Sequence, residues 1–104
     1  MSDQADAEWP LDDETYVLRL YITGTTPSSS RAVVNVRKMC EEHLVDRYDL
    51  EIIDVSQDPQ RAIEGQIVAA PTLVKLSPFP LRRFIGDMSQ TDRLLAGLGL
   101  TGTA

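Results

Sequence analysis

Five prolines between positions 27 and 80 constrain this chain more than any other feature, because proline is excluded from helix interiors and central strands. Proline is favoured at the first position of a helix, where its missing N–H costs nothing. Thr26-Pro27 and Asp58-Pro59 show this arrangement, each with a capping residue before the proline. They predict two helices, and Gly65 ends the second after about two turns.

The apolar residues supply the rest of the pattern. In the first helix they recur at steps of three and four and form one buried face, made of Val33, Val36, Cys40 and Leu44. Strands are predicted where β-branched and aromatic residues cluster, at Tyr16–Ile22, Tyr48–Val55, Thr72–Leu76 and Leu81–Ile85. Pro71 opens the third strand, and the turn after it is made rigid by Pro78 and Pro80. Ser89, with Asp92 three residues on, predicts the cap of a last helix that buries Leu94, Leu95 and Leu98.

The resulting order is β-α-β-α-β-β-α in a single α/β domain. Strand–helix–strand connections favour parallel pairing with right-handed crossovers, and the short turn between the last two strands favours an antiparallel hairpin. We therefore predict a small mixed sheet with helices on its faces over residues 16–104, which is the order of the thioredoxin-like fold.

The net charge of −6 comes from one segment. Residues 1–15 hold six acids and no base, whereas acids and bases balance in the remainder; the six are Asp3, Asp6, Glu8, Asp12, Asp13 and Glu14. Such a segment cannot bury enough apolar surface to offset its ordering entropy, so we predict a disordered acidic tail. The neutral domain lacks the positive surface that nucleic acids require. No apolar run approaches the ~20 residues of a membrane span, so no membrane attachment is expected. Residues 1–6 show no signal-peptide pattern and the single cysteine cannot form an intramolecular disulfide, so we predict a cytoplasmic protein.

The thioredoxin order raises the question of thiol chemistry at the start of the first helix. Thioredoxins have a Cys-x-x-Cys motif there, and this chain has Thr25-Thr26-Pro27-Ser28. Disulfide exchange needs one attacking and one resolving sulfur, so the sequence excludes dithiol oxidoreductase activity. Cys40 is the only cysteine and falls on the apolar helix face, and the single histidine, His43, lies near the helix end. We predict a protein that is not an enzyme and has no metal or cofactor.

Longer motifs give the chain a family resemblance. The segment Tyr16-Val-Leu-Arg-Leu-Tyr-Ile-Thr-Gly-Thr-Thr-Pro-Ser-Ser-Ser-Arg31 is similar to the opening of the KaiB family of cyanobacterial clock proteins. The similarity continues through Ile53–Gln60, Ile67–Lys75 and Leu81–Ser89, and ends with Leu95–Leu98. It covers residues 16–98 without an evident gap.

This resemblance implies a non-enzymatic protein that binds the clock ATPase KaiC, sequesters KaiA and displaces the sensor domain of the kinase SasA. It also implies two folds, a thioredoxin-like monomer and a tetrameric ground state of order β-α-β-β-α-α-β, which differ in the second half of the chain. Family members usually have an Asp and an acidic tail after the last helix, where this chain has Gly99 and ends at Ala104. We therefore expect the thioredoxin-like monomer to be favoured, with Pro71, Gly97 and Gly99 as conformational switch residues.

Six polar residues in the family-like motifs are predicted to contact a partner: Arg31, Gln66, Lys75, Arg82, Arg83 and Asp87. Arg82 and Arg83 are the strongest pair, because adjacent residues of a strand face opposite sides and only one can point inward. Two alternatives stay open at this point. One is a redox-inactive thioredoxin-like or glutaredoxin-like protein, and the other is a stand-alone sensor domain of the SasA type.

Redox silence is the first testable prediction. Because Thr25 and Ser28 occupy the two thiol positions, insulin reduction by dithiothreitol should run at its uncatalysed rate in the presence of this protein. Turbidity at increasing protein concentration measures that rate, with a thioredoxin as the positive control. A concentration-dependent acceleration would contradict the prediction.

Overall fold

The computed structural model describes residues 15–100, which form a four-stranded sheet with helices on both faces. In chain order the elements are β1 (Tyr16–Ile22), α1 (Pro27–His43), β2 (Tyr48–Asp54), α2 (Pro59–Glu64), β3 (Thr72–Ser77), β4 (Arg82–Ile85) and α3 (Thr91–Leu98). The predicted order β-α-β-α-β-β-α is confirmed. The predicted acidic tail of residues 1–15 lies outside the described residues except for Thr15.

The strand order across the sheet is β2-β1-β3-β4, so β1 and β3 are the inner strands. β1 pairs with β2 in parallel, and it pairs with β3 antiparallel. β3 and β4 form the antiparallel hairpin that the Pro78–Pro80 turn predicts. β1, β2 and β4 therefore run in the same direction and finish at the same end of the sheet.

The main core lies between the sheet and the helices α1 and α3. Leu18 and Leu20 of β1 and Leu73 of β3 are fully buried there, together with Leu98 of α3. The Tyr16 hydroxyl donates a hydrogen bond to the Leu98 carbonyl at 3.0 Å, which joins the first strand to the last helix. A smaller cluster on the opposite face is formed by Tyr21, Ile53 and Val74, with residues after α2 packed against it.

The first helix begins as predicted but is rotated slightly from the predicted face. Thr26 is the N-cap, with its hydroxyl accepting from the Ser29 N–H at 3.3 Å, and Pro27 is the first helical residue. Val36, Cys40 and Leu44 are buried, but Val33 is half-buried and the face is completed by residues that the apolar pattern missed, Ser29, Ala32 and Met39. These small and flexible side chains allow the helix to approach the sheet closely.

The other two predicted helix caps have different outcomes. Asp58 is the N-cap residue of α2 and Pro59 follows it, as predicted, but the Asp58 side chain makes no capping hydrogen bond. The predicted Ser89 cap is wrong, because the last helix begins at Thr91 after the N-cap residue Gln90, one residue later than a Ser89 cap requires. The Ser89 N–H instead donates to the Asp87 carboxylate at 3.0 Å, so Ser89 belongs to the turn before the helix.

The two glycines predicted as switch residues have defined places in this fold. A Cβ at Gly97 would clash with the Phe84 ring, so the absence of a side chain allows α3 to pack directly on β4. Gly99 has φ +76° and ends α3 in the left-handed conformation that favours glycine. Their role in switching between two folds stays a prediction.

We expect this fold to be the resting state of the chain in solution. Backbone chemical shifts should be strand-like at Leu73–Leu76 and helical at Thr91–Leu98, as in the described structure. A helix through Leu73–Leu76 would be limited by Pro78 and Pro80, which cannot lie in a helix interior. Light scattering should give a monomer mass. Helical shifts at Leu73–Leu76 with a tetrameric mass would show that the alternative order predominates.

Candidate functional site

Several polar side chains make hydrogen bonds at the end of the sheet where β1, β2 and β4 finish. Asp54, the last residue of β2, accepts hydrogen bonds at one carboxylate oxygen from the Gly24 N–H at 3.0 Å and the Ser56 N–H at 3.0 Å. The Ser56 hydroxyl donates to the same oxygen at 2.6 Å. These bonds, led by that of the Ser56 side chain, lower the pKa of the Asp54 carboxyl. Asp54 therefore holds the turn after β1 against the turn after β2.

The two positions that hold cysteines in thioredoxins, here Thr25 and Ser28, lie at this same end of the sheet. Thr25-Thr26-Pro27-Ser28 leads into α1, and the Ser29 hydroxyl oxygen accepts from the Thr23 N–H at 3.0 Å. Pro71, which opens β3, is buried, follows a cis peptide bond, and accepts at its carbonyl from the Gly86 N–H at 3.0 Å. The polar groups of this edge are thus largely engaged within the chain.

Two of the predicted partner residues form an ion pair with each other. The Arg31 Nε donates to the Asp87 Oδ2 at 2.9 Å, and the Asn35 side-chain amide donates to the Asp87 carbonyl at 2.9 Å. Hydrogen bonds from Ser89 and then from Arg31 lower the pKa of the Asp87 carboxyl. The pair ties α1 to the loop after β4, so its first role in this structure is to position that loop.

A second pair brings Gln66 and Arg83 together. The Arg83 guanidinium donates to the Gln66 carbonyl at 3.0 Å, which fastens the loop between α2 and β3 to β4. Both Arg82 and Arg83 are exposed, so neither points inward. Lys75 differs from the other five, because it is only 4% exposed and its ammonium lies 6.0 Å from the centroid of the Tyr16 ring. Lys75 is thus buried beneath the surface, although it is paired across the strands with the exposed Arg82.

Sequence reasoning missed three exposed apolar side chains beside this pair. Val68 is 92% exposed, Ile63 is 69% exposed and Ile85 is 68% exposed. Ile63 lies on α2, Val68 in the following loop and Ile85 on β4, which the Arg83–Gln66 and Gly86–Pro71 hydrogen bonds hold together. We name Ile63, Gln66, Val68, Arg83 and Ile85 the α2/β4 surface. Alternation along β4 signals that Ile85 shares a face with Arg83, but only the sheet order shows what lies beside it.

Among residues 15–100, the remaining candidates for a second site are Cys40 and groups of possible metal ligands. Cys40 is fully buried, and burial, followed by the nearby Glu41 charge, raises the pKa of its thiol to about 12. Within residues 15–100, no three His, Cys, Asp or Glu side chains are grouped as metal ligands would be. In the same part of the chain, no helix has the length and apolar character needed to cross a membrane.

The lowered pKa of Asp87 predicts a pH-dependent stability. A carboxyl whose pKa is lower in the folded than in the unfolded state stabilises the fold above its unfolded value of about 3.9. That contribution is lost as the pH falls through the folded value. Asp87→Asn should therefore lower the free energy of unfolding at pH 6 and have a smaller effect at pH 3, measured by denaturant titration. Asp49→Asn, at an exposed position on β2, controls for the loss of one charge, and an equal Asp87→Asn effect at both pH values would contradict the prediction.

Solved structures share this fold at low sequence identity. The N-terminal domain of SasA from Synechococcus elongatus superposes with a TM-score of 0.67 and 22% identity, covering 100% of this chain and 96% of that one. Mitochondrial thioredoxin 3 from Saccharomyces cerevisiae gives a TM-score of 0.67 at 16% identity, covering 86% and 83%. At these identities the likeness establishes a thioredoxin-like fold.

Sequence relatives are much closer. The circadian clock protein KaiB3 of Synechocystis sp. is 50% identical over 90 residues, which cover 86% of this chain and 88% of the relative. The circadian clock oscillator protein KaiB of Synechococcus sp. is 47% identical over 87 residues, covering 84% and 79%. The KaiB domain family matches residues 19–100. The family resemblance of the sequence is thereby confirmed, and the chain belongs to the KaiB family.

Proposed function

We propose that this protein is a non-enzymatic binding module that takes part in circadian timing by docking on a KaiC-family ATPase. The observation that carries the proposal is the α2/β4 surface, where three apolar side chains are exposed around the Arg83–Gln66 contact. Exposed apolar groups rimmed by polar ones are typical of protein–protein contacts. The kinship with circadian clock proteins supplies the kind of partner.

The polar contacts of the surface would set the orientation of the partner. Gln66 has φ +57°, and the Arg83 contact to its carbonyl holds this left-handed turn in place beside β4. A partner carboxylate could engage the remaining N–H groups of the Arg83 guanidinium, which has five donors. Arg82 would contribute from the other side of the same edge strand.

Competition with other clock proteins follows from the shared fold. The SasA domain has the same thioredoxin-like architecture, so both proteins could present a similar surface to one ATPase. We propose that the KaiC-bound protein displaces a SasA-type kinase and recruits a KaiA-type protein, in the cytoplasm. A stand-alone sensor domain of the SasA type, the alternative, would not recruit a KaiA-type protein.

The fold described above would be the binding state, and a monomer. We propose that the alternative ground-state order is a minor population, because Gly99 ends α3 in a conformation that an Asp adopts less readily. Packings of one sequence that differ by a few kcal/mol can interconvert, so a small bias of this kind alters their populations. Pro71 and Gly97 lie in the second half of the chain, in which the two orders would differ.

Substitutions on the α2/β4 surface test the proposal. Val68→Ser should weaken binding to a purified KaiC-family hexamer about tenfold, since ~1.4 kcal/mol of apolar burial would be lost from the contact. Biolayer interferometry measures the dissociation constant. Val45→Ser is the matched control, because Val45 is 62% exposed in the loop before β2, at the opposite end of the sheet. Unchanged affinity of Val68→Ser, or no complex with any KaiC-family hexamer, would contradict the proposal.

A further inference from the structure

An open cleft of about 410 Å³ lies between the exposed edge of β4 and the start of α3. Its apolar lining includes Phe84, Ile85, Met88 and Leu94. Two exposed arginines, Arg83 and Arg93, stand on its rim. The cleft therefore combines an apolar floor with two cationic side chains.

The charge of the cleft is positive. Asp87 is the acid among its lining residues, and its carboxylate is paired with Arg31 at 2.9 Å. Arg83 donates to the Gln66 carbonyl, and within residues 15–100 neither Arg83 nor Arg93 is ion-paired with a carboxylate. The surface thus suits an extended ligand that carries carboxylates beside an apolar side chain.

The chain itself contains such a ligand. Residues 1–14 carry the whole net charge of −6, and an apolar centre, Trp9-Pro10-Leu11, is flanked by Glu8 and by Asp12–Glu14. We propose that this acidic N-terminal segment docks in the cleft of its own molecule, with Trp9 against the apolar floor and the flanking carboxylates on Arg83 and Arg93.

The distance permits this contact. Ile85, in the apolar floor, pairs across β3 with Thr72, which pairs with Tyr21, so Ile85 lies two strand spacings from β1 and five residues along it from Tyr16. Offsets of about 10 Å and about 17 Å amount to a separation of roughly 20 Å. Trp9 lies seven residues before Tyr16 and can extend up to ~23 Å. The segment therefore reaches the cleft in a nearly extended conformation.

Tethering favours this occupant over others. A segment joined by a short flexible link has an effective concentration on the order of millimolar at its own cleft, above that of a second copy or a free acidic peptide. Docking would also cover Arg83 and Ile85, which belong to the α2/β4 surface. If the proposed function holds, the segment would compete with the partner, but the docking itself does not depend on the identity of the partner.

Trp9 is the only tryptophan, so its fluorescence reports the docking directly. In the full chain its emission maximum should lie at shorter wavelength than in a synthetic peptide of residues 1–14, and acrylamide should quench it more slowly. Raising the salt from 0.15 M to 1 M shortens the Debye length from about 8 Å to about 3 Å, which should move the emission toward the peptide value. The double variant Arg83→Gln/Arg93→Gln should do the same at low salt.

The double variant Arg37→Gln/Lys38→Gln is the control, because it makes the same change in net charge on the exposed face of α1. It should retain the emission of the unaltered chain. Circular dichroism checks that both double variants keep the fold. Peptide-like emission in the unaltered chain, an equal effect of both double variants, or no effect of either would overturn the proposal. An emission shift that disappears on dilution would overturn it as well, since it would show docking on a second copy.

Discussion

Burial of both faces of β1 is the constraint on which the rest of the structure depends. Leu18 and Leu20 face α1 and α3, while Tyr21 faces the opposite side of the sheet, and all three are almost completely buried. A strand buried on both faces must also have its backbone groups paired on both edges, because an unpaired buried N–H or C=O is costly. β2 and β3 supply those partners. The inner position of β1 then leaves β2 and β4 as the edges, and it places the arginines of β4 at the surface.

The element order was predictable because its signals are local. Pro27, Pro59 and Pro71 each restrict one backbone angle and remove one donor, which limits where a helix or strand begins regardless of tertiary context. The predicted cap at Ser89 failed for the complementary reason. A capping side chain or N–H is available only if nothing else binds it, and the N–H of Ser89 is taken by Asp87. Such competition depends on the folded loop and has no signature in a window of a few residues.

The candidate site was predictable in residue type but not in arrangement. Arg31 and Asp87 were predicted separately, and they form one ion pair although 56 positions separate them. Arg83 binds a backbone carbonyl, at Gln66, which no side-chain pattern can indicate. The exposure of Val68 was missed because a valine in an apolar run suggests burial, whereas the loop that carries it turns outward after α2.

The exposed apolar groups at this end of the molecule are consistent with the proposed role in recognition. Asp54 and Asp87 are each engaged by several donors. The Ser29 N–H at the start of α1 donates to the Thr26 hydroxyl oxygen, and the Thr23 N–H donates to the Ser29 hydroxyl oxygen. The apolar side chains of the α2/β4 surface gain free energy when they leave water, roughly 25 cal/mol per Å² of area buried. A partner that covers the α2/β4 surface gains affinity while the polar contacts that hold the loops of this chain stay intact. Binding therefore does not cost the fold its loop contacts.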